Sequence, residues 1–173
     1  MKNPKNRIIS LIYSVLRVYW RVFKPITLGV RAIVVNEANE ILLVKHTYED
    51  YWFLPGGGVK KSETFEKAIR RELIEEAGYE ADIIELFGVY NSVLQGKRDN
   101  IVVFICKNGK FVKSSLSPEI ATYKFFSIDN SDNLDNLDNL DNFKNLPENI
   151  SRGTLKRIEE YCDLSISKRF GVW

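Results

Sequence analysis

The chain has 173 residues, 45% of them hydrophobic and 28% charged, enough for one sizeable core and too few for two ordinary domains. This composition excludes collagen-like and wholly disordered chains, and two cysteines beside a single histidine exclude a usual Cys/His zinc site and a disulfide framework. The net charge of +2 hides a segregation: residues 1–31 carry seven basic residues and no acidic one, leaving 18 basic against 23 acidic residues beyond them, so nucleic-acid binding is not expected of the body.

Within residues 1–27, Arg7, Ser10, Ser14, Arg17, Arg21 and Lys24 recur at alternating steps of three and four. This predicts an amphipathic helix with one basic stripe and an apolar face wider than that of a usual surface helix. Pro25 ends it. Arg17 and Arg21 interrupt the apolar run, which argues against a membrane span, and no small-residue cleavage site marks a signal peptide. Two readings of residues 7–24 stand: packing on the domain or on a second subunit, or lying peripherally on an anionic membrane.

A domain is expected over 28–165. Short β-like runs at 29–35 and 41–45 flank a turn and predict a hairpin. An extended piece at 52–54 leads into Pro55-Gly56-Gly57-Gly58. A helix is expected over 64–77, stopped by Gly78. Strands follow at 83–90, 101–106 and 122–128, and Ser151 is the natural N-cap of a last helix reaching 161. Residues 129–146 are essentially Asp-Asn-Leu repeated. Period three suits neither helix nor strand, so they form an exposed insertion, dispensable for catalysis, that lacks the glycine and terminal glutamate of a calcium loop. Residues 166–173 are a C-terminal tail. Cys106 and Cys162 are expected to be buried small apolar residues, in keeping with a reducing, cytoplasmic location.

The chemistry concentrates between Gly57 and Tyr79. On a helix, Glu72, Glu75 and Glu76 fall within one arc of about 100°. Three carboxylates at that spacing repel one another, and their crowding opposes ionisation unless a cation sits among them. Carboxylate oxygens are hard ligands suited to Mg²⁺ or Mn²⁺. A solvated acidic face is the plainer explanation of a glutamate pair seen alone.

The joint pattern argues otherwise. Gly57, Glu63, Arg71, Glu72, Leu73, Glu75, Glu76, Gly78 and Tyr79 match every defined position of the Nudix box, a coincidence expected on the order of once in ten million chains of this size. The chain resembles the Nudix hydrolases over roughly residues 28–128. The resemblance implies an α/β fold, an α/β/α sandwich with a mixed sheet. It also implies metal-dependent hydrolysis of a diphosphate linked to another moiety, X, by attack of water on phosphorus.

Carried over by position, Glu72 and Glu76 would be metal ligands, Glu75 a further ligand or the base, and the Gly57 carbonyl a completing ligand. Glu63 and Arg71 would pair to orient loop and helix, with direct phosphate contact by Arg71 as the alternative. Outside the box, Arg31, Lys45 and His46 are candidates to meet phosphates. Tyr48, Tyr51 and Trp52 are candidates to stack on a base or sugar, and Asp99 and Glu119 to supply an extra carboxylate. The favoured substrate is a small-molecule phosphoanhydride of NDP-sugar or ADP-ribose type. A nucleoside triphosphate of the nucleotide pool and a noncatalytic binding module are the alternatives.

Overall fold

The computed structural model describes residues 26–92, 98–112, 116–128, 145–163 and 170–173. The predicted N-terminal helix lies outside them, as does the Asp-Asn-Leu insertion except for its last two residues. In chain order the described elements are β1 (Ile26–Val34), β2 (Glu40–His46), β3 (Trp52–Phe53), α1 (Phe65–Ala77), β4 (Tyr79–Glu80), β5 (Ile83–Ser92), β6 (Arg98–Lys107), β7 (Lys110–Phe111), β8 (Ile120–Ser127), α2 (Arg152–Cys162) and β9 (Phe170–Val172).

The strands form a four-stranded mixed sheet in the order β1-β6-β5-β9, an antiparallel sheet β3-β2-β8 and a β4-β7 ribbon. The single mixed sheet expected from the sequence is therefore divided. So is the expected hairpin: after the bridge between Val35 and Ile41, β1 pairs with β6 while β2 pairs with β3 and β8. The turn itself is built by Asn36, whose side chain accepts the N–H groups of Ala38 and Glu40 at 3.0 and 2.9 Å. The strands part because the far edge of β1 is taken by the glycine loop that follows β3, described below.

Alternation along β1 sends its residues to two cores. Val30, Ala32 and Val34 pack with Ala68, Ile69 and Leu73 of α1. Ile33 and Val35 pack with Ile158 of α2, together with Leu43, Leu54 and Tyr90. Helices thus cover the sheets from two sides. Thr64 caps α1 by accepting the Lys67 N–H at 3.2 Å. Gly78, at φ 62°, ends the helix in the left-handed conformation that glycine adopts without strain.

Ser151 caps α2 as expected. Beside it the buried Thr154 hydroxyl accepts the Leu54 N–H at 3.1 Å, so α2 anchors the strand that delivers the glycine loop. Cys106 is buried, while Cys162 is only half-buried. The end of the expected tail is built into the main sheet: β9 runs parallel to β5, and Trp173 donates its N–H to the Asn91 carbonyl at 2.8 Å. Among the described residues no helix is long and apolar enough to cross a membrane.

Candidate active site

The glycine loop lies along β1 like a further strand. Ala32 donates to the Pro55 carbonyl, Val30 to the Gly57 carbonyl and Val59 to the Leu28 carbonyl, at 2.9, 2.9 and 3.0 Å. This contact is close enough to require glycine. Gly56 has φ 139°, and a Cβ there would sit 2.2 Å from the Val30 carbonyl oxygen. The Gly57 carbonyl keeps a second lone pair beyond the one given to Val30.

Helix α1 brings its carboxylates to this loop. Glu76 is 6% exposed, and its Oε2 accepts the Gly56 N–H at 2.7 Å. The Glu72 carboxylate lies against the α-carbon of Gly57. Glu75 is the most open of the three, with its side chain 45% exposed and Lys60 Nζ 3.6 Å from Oε1.

Arg71 ties the cluster together. Its Nε and Nη2 bind the two oxygens of Glu63 at 2.8 and 2.9 Å, and Nη2 also reaches the Gly58 carbonyl at 3.0 Å. Nη1 meets Glu72 at 2.5 Å and Glu75 at 3.3 Å. A planar guanidinium can serve several acceptors in this way; an ammonium cannot. The Arg71 bond, with the Lys60 N–H, lowers the Glu63 carboxyl to about 2, and Glu63 in turn raises Arg71.

Glu119 arrives from a different segment. The Ser117 N–H binds the Glu75 carbonyl at 2.7 Å and the Thr47 N–H binds the Glu119 carbonyl at 2.8 Å, wedging this loop between α1 and the end of β2. The Glu76 carboxyl is pushed up to about 7, chiefly by burial; Arg31 and the Gly56 N–H oppose the rise, and Glu72 and Glu119 add to it. Arg31 crosses the same space and donates to the Gly56 carbonyl.

Among the described residues no three His, Cys, Asp or Glu side chains converge on one point as a ready metal nest. Glu72 and Glu75 are instead drawn to Arg71, and Glu76 to Gly56. The donor chemistry nevertheless fits a hard divalent cation. Hard oxygens of Glu72, Glu76 and the Gly57 carbonyl surround the glycine loop, and burial disfavours the charged form of Glu76 by more than Arg31 and the Gly56 N–H offset, a balance that a further cation would shift back.

The peripheral candidates separate. Arg31 and Glu119 join the cluster. Asp99 is at the start of β6, where it accepts the Thr27 hydroxyl at 2.8 Å. Lys45 is ion-paired with Asp50 at 2.6 Å. His46 is lowered to about 4 by burial, with a contribution from Arg31, so its ring is neutral near neutral pH. Its ring stacks on Tyr48, the centroids 5.1 Å apart. Trp52, half-buried, packs against the α2-side core, edge-on to Phe126 at 5.0 Å; Tyr51 is exposed. Lys60 is not among the residues singled out from the sequence. Gly56 acts through its backbone, at the place that the run of three glycines marks in the sequence.

A model described as the NUDIX domain matches residues 25–146. A Bacillus subtilis protein named "Putative 8-oxo-dGTP diphosphatase" is 47% identical over 64 residues, which are 37% of this chain and 43% of that protein. The chain therefore spans less than half the length of this relative. Among solved structures, a MutT NUDIX hydrolase from Burkholderia pseudomallei superposes with a TM-score of 0.61 at 22% identity, over 80% of this chain and 98% of that one. It shares the fold. A structure titled UDP-X diphosphatase gives a TM-score of 0.57 at 27% identity, over 94% of this chain and 74% of that one.

Proposed function

Because the chain belongs to the Nudix family, we propose that it hydrolyses the diphosphate bond of a nucleoside diphosphate joined to another moiety, X, of NDP-sugar or ADP-ribose type. The observation that carries this reading is the packing of Glu72 and Glu76 against Gly57 and Gly56. That contact aims a carboxylate pair at a loop whose backbone has no side chains to block an approaching anion.

Glu72, Glu75 and Glu76, with the Gly57 carbonyl, would hold a divalent cation, Mg²⁺ or Mn²⁺, which supplies the charge that neutralises a diphosphate and eases deprotonation of water. The chain's own groups divide the remaining work. Glu76 is fixed by its bond from Gly56 and suits a static role. Glu75, half open to solvent, would serve as a further ligand or take a proton from an attacking water. Arg31, at the Gly56 carbonyl, would meet substrate phosphate in this reading. Glu63 and Arg71 hold loop and helix in register.

A second reading, removal of pyrophosphate from a nucleoside triphosphate, draws support from the name of the Bacillus subtilis relative. Products separate the two. The purified chain is incubated with NDP-sugars, ADP-ribose and nucleoside triphosphates, with Mg²⁺ or Mn²⁺, in ¹⁸O-water. The expected result is a nucleoside monophosphate plus phosphorylated X, with the label on phosphorus. Nucleoside monophosphate and pyrophosphate from triphosphates alone would replace the first reading with the second. Binding without turnover across the panel would make the chain a noncatalytic module.

A further inference from the structure

Helix α1 covers only half of one face of the four-stranded sheet. On that face Val30 and Val102 pack beneath α1, and the register continues outward to uncovered positions: Leu28 and Ile26 along β1, Val89 beside Val102, Phe170 beside Val89, and Val172 beyond. Residues paired across neighbouring strands share a face. These five side chains are 42–72% exposed; they border Arg98 and the hydrogen-bonded pair Asn91 and Asn100, which share the face, and joined through Val30 and Val102 they form an apolar strip along two sides of it, surface of the kind that marks an interaction site.

We infer that residues 7–24 of the same chain seat on this half-face and complete the helical layer. The occupant comes from the same polypeptide: the N-terminal segment, whose sequence gathers Ile12, Leu16, Tyr19, Trp20 and Phe23 on the wide apolar face of its predicted helix, offers what this strip would bury. The chain joins them directly, because Pro25 precedes Ile26, the corner of the strip. A one-residue connection gives a high effective concentration, which favours the intramolecular partner over a second copy. Length also suits. Eighteen helical residues span about 27 Å, whereas four strands at about 4.8 Å spacing need about 14 Å to be crossed. Seated this way, the basic stripe of Arg7, Arg17, Arg21 and Lys24 faces water.

Limited trypsin digestion of the full chain reads the seating at Arg17 and Arg21, since cleavage of a closed segment tracks the population of its open form. The wild type is compared with the pair Val89→Lys and Phe170→Lys, and with the milder pair Val89→Thr and Phe170→Thr, which preserves strand preference and decides the matter if the lysines prevent folding. Both positions substituted lie outside the catalytic cluster. The expected result is a monomer in every case, with cleavage at least about tenfold faster in the lysine pair and intermediate in the threonine pair. Equal cleavage rates in all three would overturn the inference. A wild-type dimer that the substitutions dissociate would assign the strip to a second copy. Protection that appears only with phosphatidylserine vesicles would assign the segment to a membrane.

Discussion

Gly57 and Glu72 touch so closely that a β-carbon on Gly57 would stand 2.6 Å from Glu72 Oε1. The loop and the helix are far apart in their folding rules. One is an extended segment on a strand edge, the other a capped helix, and the site exists only where they meet. The missing side chain at Gly57 sets how deeply the carboxylate can enter.

Replacing Gly57 with alanine therefore has to push the Glu72 carboxylate aside. Displacing a catalytic group by about 1 Å costs on the order of 10²-fold in turnover, so kcat/KM should fall by about that factor. Gly58 is the control, because a β-carbon there meets nothing within 4 Å. Gly58→Ala should retain near wild-type kcat/KM, and equal losses in both variants would remove the Glu72 contact as the cause.

Glu76→Gln keeps the shape of the side chain and an oxygen for the Gly56 N–H, while removing a carboxylate that burial disfavours. Stability of the metal-free chain should not fall. Turnover at limiting Mg²⁺ should drop by at least about 10–100-fold, the range that loss of a supporting partner alone costs a metal site. Glu72→Gln should behave likewise in activity. Thermal melts and Mg²⁺ titrations of both variants check this, and full activity in either would sink the metal assignment.

His46 gives a pH dependence of stability with a defined sign. Its folded pKa, about 4, lies below the ordinary 6.5 because the ring is buried and faces Arg31. Above pH 6.5 the ring is neutral in both states and carries no penalty. Between 6.5 and about 4 the unfolded chain binds the proton more readily, so stability falls as pH falls, and below that window the contribution levels off. The full effect is of order 1–3 kcal/mol. Urea unfolding above and within the window should show the loss in the wild type and a smaller one in His46→Gln.

Helix α1 is legible in the sequence because its determinants are local: a capping threonine, a stop glycine and glutamates at helical spacing. The divided sheet is not, because the partner of the β1 edge is a glycine loop that shows no strand period of its own. Three residues, Phe170–Val172, are too few to display alternation, which hides β9 inside an apparent tail. The surroundings of the outer candidates are hidden for another reason. Trp52, Lys45 and His46 have residue types suited to binding, but Phe126, Asp50 and burial beside Arg31 each engage them first. Arg31 and Glu119 are brought to Glu76 by long-range pairing, which one-dimensional spacing cannot show.

The apparent tail also yields a prediction in which local propensity and tertiary packing have opposite signs. Arg157 is fully buried on α2, with its guanidinium 3.8 Å above the Tyr90 ring and 5.6 Å from the Trp173 ring. Nη2 pairs with Glu160 at 2.8 Å, and Nη1 donates to the Val172 carbonyl at 3.3 Å. Trp173 thus closes the cover over a buried cation, and it rests on Gly153. In an unobstructed helix, glycine to alanine stabilises by up to about 1 kcal/mol. At Gly153 the added carbon would lie 2.2 Å from Trp173 Nε1. Displacing the indole would uncover Arg157, so Gly153→Ala should destabilise, and Trp173→Ala should do so by about 1–3 kcal/mol through lost packing and cation–π contact. In the double variant the clash has no partner, and Gly153→Ala should recover its ordinary stabilising sign. Denaturant melts of the two single variants and the double variant measure this; additive losses would show that Gly153 and Trp173 are not in contact.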